Sequence, residues 1–248
     1  MSLYFKFRKA VSLFAISKTH RRNVRISFSK PVVSFTFDDV PRSAVLNAET
    51  ILRKYNCSGT YYISIGLMRQ DGFDFDRGDG RLLREIVEHG GELACHTFSH
   101  LHFFKSNRNE IIFDLEKNQE FIDKCIPGYK FENFSYPYGE QTSVSRSVIK
   151  NRFKSGRSVY NGINSDITDL NCLKGIRLYE SIDLKETIRT INKAMETGGW
   201  IIFYTHDVEQ NPSRNGCTPG YFEAVVKYCC EKKLNVLPVK RVLEMVER

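Results

Sequence analysis

The stretch Pro31-Val32-Val33-Ser34-Phe35-Thr36-Phe37-Asp38-Asp39 joins a β-rich run directly to two adjacent carboxylates. Residues 31–37 are Val, Phe and Thr for the most part, the composition of a buried strand. Two neighbouring aspartates repel each other. A turn, or a helix N-cap ahead of Ala44, explains one of them at most. The pair therefore points to chemistry at the carboxyl end of a strand.

Outward from that strand the chain alternates between two patterns. Runs of about five or six residues predict strands at 31–37, 60–65, 92–96, 131–136, 156–160, 200–205 and 235–237. Amphipathic stretches between them predict helices at 44–56, 81–89, 108–125, 144–152, 184–197, 221–233 and 239–246. Gly90-Gly91, Pro127-Gly128, Gly198-Gly199 and Pro219-Gly220 punctuate the series. Seven strands alternating with helices imply an α/β fold with a parallel sheet, closed as a barrel or open and doubly wound. No GxGxxG or GxxxxGK[ST] loop follows any of these strands, so a nucleotide-binding fold lacks its usual phosphate cradle. No linker, repeat or composition break divides the run, which predicts one domain over 31–248 behind a basic extension over 1–30.

The chain has 248 residues, 41% hydrophobic and 27% charged, enough to bury a sizeable core. Its net charge of +8 comes from lysines and arginines scattered along the chain. With no aromatic-basic motif, nucleic acid is not an expected partner. Seven cysteines without a CxxC pair argue against a disulfide framework and for a reducing compartment. Residues 10–17 are apolar and flanked by Arg8, Lys9 and Lys18, too short to span a bilayer. Leu3, Phe7, Val11 and Phe14 share a helical face, with Arg21, Arg22 and Arg25 following. That pattern suits a weakly membrane-associated surface helix or a segment packed on the domain. No export signal is recognisable, which places the expected site of action in the cytoplasm, at the inner face of the membrane if the segment binds there.

At barrel strand ends, where catalytic groups gather, further polar residues join Asp38 and Asp39. His96 ends the third predicted strand and His100 follows at i+4, a spacing that turns two imidazoles toward one ion. Thr97 stands where an HExxH site has its glutamate, so a carboxylate ligand must come from elsewhere, and Asp39 is the natural donor. Two histidines and one carboxylate leave coordination positions open, as catalytic sites do. Zinc is the first expectation; Fe(II), Co(II) and Ni(II) suit the same ligands. His102 is read as a rim residue. His206 ends the apolar run 200–205 and can reach the same face to donate a proton. The loop 208–220, with Arg214, is expected to edge the site.

In order, these residues resemble the polysaccharide deacetylase family, the NodB-like carbohydrate esterases, over roughly 31–245. Thr36-Phe37-Asp38-Asp39 is similar to the family's T-F-D-D-G, with Val40 for glycine. His96-Thr97-Phe98-Ser99-His100 matches H-[ST]-x-x-H, and Phe134-Ser135-Tyr136-Pro137-Tyr138-Gly139 resembles the third motif. His206-Asp207 resembles the last. The resemblance implies a distorted (β/α)7 barrel and a metal held by Asp39, His96 and His100. It implies that Asp38 takes a proton from a metal-bound water attacking an N-acetyl (less often O-acetyl) group. The Tyr138 backbone N–H would support the oxyanion, and His206 would protonate the departing amine. The implied partner is an acetylated sugar of a polysaccharide or glycan precursor. Ser135 stands where the family has an arginine that orients the base; Arg157 or Arg177 could supply that charge. Asp166, Asp169 or Asp183 could serve as the unrecognised fourth motif. A deformylase acting on an amino sugar, or a non-catalytic carbohydrate-binding pseudoenzyme, are the competing readings.

Overall fold

The computed structural model describes residues 16, 19–75 and 77–246. The apolar face drawn from Leu3 to Phe14 therefore lies outside the described residues. The strands are β1 Asn23–Ile26, β2 Val32–Asp39, β3 Thr60–Ile63, β4 Glu92–Cys95 and β5 Asn133–Ser135, then β6 Ser155–Arg157, β7 Asp166–Asp169, β8 Ile176–Arg177, β9 Trp200–Thr205 and β10 Asn235–Val236. The helices are α1 Glu49–Lys54 (entered through a π turn, Ala44–Ala48), α2 Ile65–Gln70, α3 Gly80–Glu88 and α4 Arg108–Cys125. They continue as α5 Ser143–Arg152, α6 Leu184–Thr197, α7 Pro219–Glu231 and α8 Val239–Val246.

A curled parallel sheet runs β6-β5-β4-β3-β2-β9-β8. Its two ends meet through Leu173, whose N–H donates to Gly156 O at 2.8 Å while Ser158 N donates back to Leu173 O at 2.8 Å. This is the distorted barrel that the family resemblance implies, and one of the two forms that the strand count left open. Its seventh strand, however, is β8, which the sequence reading missed. The predicted strand at 235–237 shrinks to β10, off the barrel path and paired with Val32 and Val33 of β2. Two residues of β8 are too short to show a period of two, so the pattern could not reveal it.

Alternation along β2 explains the layers. Val33, Phe35 and Phe37 belong to the large apolar cluster under the helices, where Phe35 meets Phe222 edge-on at 5.3 Å. The residues between them are polar and stay hydrogen-bonded. Ser34 accepts from Trp200 Nε1 at 2.9 Å, and Thr36 Oγ1 donates to Phe203 O at 2.8 Å. The barrel floor is polar as well: Glu92 accepts from Thr60 Oγ1, Asn133 Nδ2 and the Lys240 backbone N–H at the start of α8.

Residues 19–30 pack on the barrel. β1 pairs antiparallel with β7, and Ile26 joins Trp200, Leu170 and Leu243 in a second buried cluster. The Arg22 guanidinium donates to Phe153 O at 2.9 Å, and its backbone N–H donates to Asp169 Oδ1 at 2.8 Å. Of the two expectations for the basic segment, its described part packs on the domain. Among the described residues no helix is long and apolar enough to cross a membrane.

Candidate metal centre

Asp38 and Asp39 end β2, where successive side chains should point to opposite faces. The chain leaves the strand abruptly instead, with Asp39 at φ 61° and Val40 at φ 55°. Thr97 (φ 63°), His100 (φ 53°) and Tyr138 (φ 56°) also occupy the left-handed region. Such backbone is costly for β-branched and aromatic residues and gathers at functional sites. Here it lets Asp39 and both histidines reach one point.

His96 Nε2 lies 3.5 Å and His100 Nε2 3.3 Å from Asp39 Oδ1. These three are the one group of metal-ligating side chains among the described residues whose donor atoms converge, all within 4.8 Å of one another. Asp39 Oδ1 is buried with no hydrogen-bond partner of its own. His96 turns Nδ1 to Ser135 O at 2.8 Å, which fixes the tautomer with its Nε2 lone pair toward the aspartate. Burial, and for His100 the neighbouring His96, hold the imidazoles at about 4 and about 3 respectively, so both are neutral ligands. Burial, then the charges of Asp38 and Asp71, push the Asp39 carboxyl up to about 7. An orphaned carboxylate oxygen between two neutral Nε2 atoms fits a divalent cation.

Asp114 holds the loop between the histidines. Its Oδ1 accepts from the Phe98 and Ser99 backbone N–H groups at 2.6 and 3.1 Å, and its Oδ2 accepts from Ser99 Oγ at 2.6 Å. Sequence reasoning missed this residue. The clue was an aspartate inside the otherwise amphipathic helix α4, at a position that is 8% exposed.

Asp38 sits behind the trio. The fully buried Arg157 donates to both of its carboxylate oxygens and to Ser135 Oγ at 2.5 Å. Burial raises the Asp38 carboxyl, but the charges of Arg157, His96 and His206 and the hydrogen bond from Arg157 outweigh it and bring it to about 2. The Arg157 guanidinium lies 4.6 Å from the Tyr204 ring centre and 5.2 Å from that of Tyr62, a desolvated setting in which aromatic faces favour a cation. Ser135 and Arg157 are direct partners across β5 and β6. The charge expected at the third motif has thus moved one strand over at the same level, and Ser135 leaves room for it. Arg177 does not take part; its Nε donates to Tyr204 OH at 3.3 Å.

His206 Nε2 lies 3.8 Å from Asp39 Oδ2, its Nδ1 is buried without a partner, and burial lowers its basicity. Asp207 is a staple for the following loop, accepting from the Ser213 N–H and Oγ at 2.6 and 2.5 Å. None of the three aspartates considered for the fourth motif stands at the site. Asp169 pairs with Arg146 at 2.7 Å, Asp183 caps α6 by accepting from Lys185 N at 2.6 Å, and Asp166 is exposed on β7. Asp166 and Asp169 lie on β7, which pairs with β1 and not with the barrel strands. His102 is a rim residue, stacked flat on the Tyr138 ring at 3.9 Å with Nδ1 3.1 Å from Glu140 Oε1.

Residues 25–152, just over half of the chain, match the family described as polysaccharide deacetylase. A bifunctional xylanase/deacetylase from Pseudobutyrivibrio xylanivorans is 26% identical over 141 residues, covering 57% of this chain and 22% of that protein. A poly-beta-1,6-N-acetyl-D-glucosamine N-deacetylase from Staphylococcus aureus (strain MRSA252) is 29% identical over 133 residues, covering 50% of this chain and 46% of that protein. The chain thus aligns with less than half the length of these curated relatives. A family 4 acetyl xylan esterase from Clostridium thermocellum, solved in complex with a cobalt ion, shares the fold with a TM-score of 0.61. That likeness spans 86% of this chain and 91% of the esterase at 17% identity. With the barrel, the ordered motifs and the family match in agreement, the chain belongs to the polysaccharide deacetylase family.

Proposed function

We propose that the chain is a divalent-metal-dependent hydrolase that removes an acetyl group, N-acetyl first, from a sugar of a polysaccharide or glycan precursor. One observation carries this: a converging Asp39–His96–His100 trio lies directly against a carboxylate locked by a buried arginine. Asp39, His96 and His100 would hold the cation, which when bound polarises a carbonyl and acidifies water. Zinc suits this ligand set, and so does cobalt, the ion with which the family 4 esterase was solved.

Asp38 is ionised at neutral pH and fixed in orientation by Arg157 and Ser135. It accepts the proton of the attacking water at a carboxylate oxygen. A carboxylate held near 2 is a weak base, so it passes that proton on and does not store it. His206, kept neutral by burial, receives it and delivers it to the departing amine nitrogen. The Tyr138 N–H, on the left-handed turn beside His100, donates to the oxygen that gains charge.

The test is acetate release from N-acetylglucosamine oligomers by metal-stripped, zinc-loaded and cobalt-loaded protein, with Asp38→Asn alongside. Metal loading restores activity and Asp38→Asn abolishes it. Protein that binds no metal and is inert on every acetylated glycan sinks the proposal.

A further inference from the structure

Away from the metal centre, two free thiols meet. Cys57 lies between α1 and β3, and Cys230 lies in the last turn of α7. They are 173 positions apart in the chain, yet their sulfurs stand 3.6 Å from each other. No other two cysteine sulfurs among the described residues come into contact. Both are half-buried, whereas Cys95, Cys217 and Cys229 are buried in the core. Their backbones are anchored: Cys57 N donates to Leu52 O at 2.9 Å, and Cys230 O accepts from Lys233 N at 2.9 Å. Glu223 of α7 stitches the same seam, its Oε1 accepting from Tyr55 OH at 3.0 Å and from Lys54 Nζ at 2.5 Å.

Two thiols in contact, on fixed backbone and within reach of solvent, are placed for thiol–disulfide exchange. We infer that Cys57 and Cys230 form a reversible intramolecular disulfide when the protein meets a small-molecule disulfide as oxidant. One protein thiolate attacks the oxidant, forming a mixed disulfide and releasing one reduced thiol. The second protein sulfur loses its proton to solvent, attacks the first and displaces the other half of the oxidant as a thiol. The protein pair thus gives up two electrons and two protons, and the oxidant becomes two thiols. Closing from 3.6 Å to a bonded distance of about 2.05 Å calls for side-chain rotation at the two anchored positions. Burial, then the neighbouring Cys230, push the Cys57 thiol up to about 12, so exchange quickens as pH rises.

The link ties the loop before β3 to the end of α7, at the amino ends of the barrel strands. The metal trio stands at the carboxyl ends, so the clasp acts on stability and not on the chemistry. A cross-link between positions so far apart in the chain restricts the unfolded state strongly. The other five cysteines meet no second sulfur, so this is one clasp and not a disulfide framework.

The test treats the zinc-loaded full chain with glutathione disulfide at about pH 8, then alkylates it and digests it with trypsin without reduction. The expected product joins the peptide over 55–69 to the peptide over 228–232, within one molecule. Cys229→Ala keeps that link, and Cys57→Ser and Cys230→Ser each abolish it. Oxidation raises the melting temperature by about 5–15 °C, a phosphine reductant reverses the rise, and neither serine variant shows it. Zinc bound per molecule stays the same in the oxidised and reduced forms. The peptide link is read in the unsubstituted chain, so a poorly folding variant does not remove the test. Thiols that stay free, glutathione adducts without a link, a link that runs to Cys229 or between molecules, or oxidised protein that melts no higher than reduced each overturn the inference.

Discussion

Arg157 carries its charge fully buried into the barrel, and Asp38 is its counter-ion. A buried pair of this kind contributes little net stability, but removing one partner strands the other charge. Arg157→Ala should cost roughly 3–5 kcal/mol in chemical denaturation, as broken buried pairs do, and lower kcat at least about a hundredfold. The cross-strand register makes a sharper test. Ser135→Arg combined with Arg157→Ser puts the guanidinium back on β5, and should recover more activity than either single change. A double variant no better than Arg157→Ser alone would show that the level in the barrel is not what matters. At Asp39 the sign of the pH dependence follows from its raised carboxyl. Below about 7 the free protein holds a proton there that a cation must displace. Zinc affinity should therefore fall as pH drops through 7, with close to one proton released per zinc at pH 6. Calorimetry in two buffers of different ionisation enthalpy measures that proton.

At the scale of elements, the turns that shape the site are held from outside it. Asp114 on α4 ties down the loop between the ligand histidines, so Asp114→Ala should weaken zinc binding about 10–100-fold, as loss of a supporting partner does. Asp114→Asn keeps the shape and the oxygen that accepts both N–H groups but replaces the acceptor of the Ser99 hydroxyl with an NH2, and should fall between. Val40 makes the exit of β2 with a β-branched residue in the left-handed region, at the position where the T-F-D-D-G motif that it resembles has glycine. In a buried strand, glycine is normally less stable than alanine by about 0.5–1 kcal/mol. At position 40 alanine retains the left-handed penalty, about 1–2 kcal/mol, and glycine does not. Val40→Gly should therefore match or exceed Val40→Ala in melting temperature, although both lose the buried methyl groups of Val40. The usual order, glycine clearly below alanine, would argue against strain at this turn. These elements also show what was legible beforehand. Asp38, Asp39, His96, His100 and His206 could be read because each follows a strand long enough to show its composition. Arg157 was visible as one of two arginines, and only the register with Ser135 chose between them. Asp114 was hidden because its partners, Phe98 and Ser99, lie outside its own helix, and β8 because two residues show no period.

For the whole molecule, the boundary drawn at residue 30 divides what the structure packs as one body. β1 completes a pair with β7, Ile26 is 2% exposed against Trp200 and Leu243, and the Thr19 carbonyl accepts from Arg146 at 2.8 Å. Arg146 is itself fully buried and holds Asp169, whose other oxygen takes the Arg22 N–H. Removing this segment opens the second apolar cluster and unsettles that network together. Ile26→Ala alone should cost about 2–5 kcal/mol, the usual loss for a buried isoleucine. Deleting residues 1–30 should cost more and lower the melting temperature by well over the few degrees that about 1 kcal/mol shifts in a domain of this size. The metal trio lies at the opposite end of the strands from this cluster, on the carboxyl side. Zinc binding per folded molecule should therefore persist in Ile26→Ala at temperatures where the protein remains native. A chain begun at residue 31 that melts as high as the full protein would show that residues 19–30 cover the barrel without supporting it.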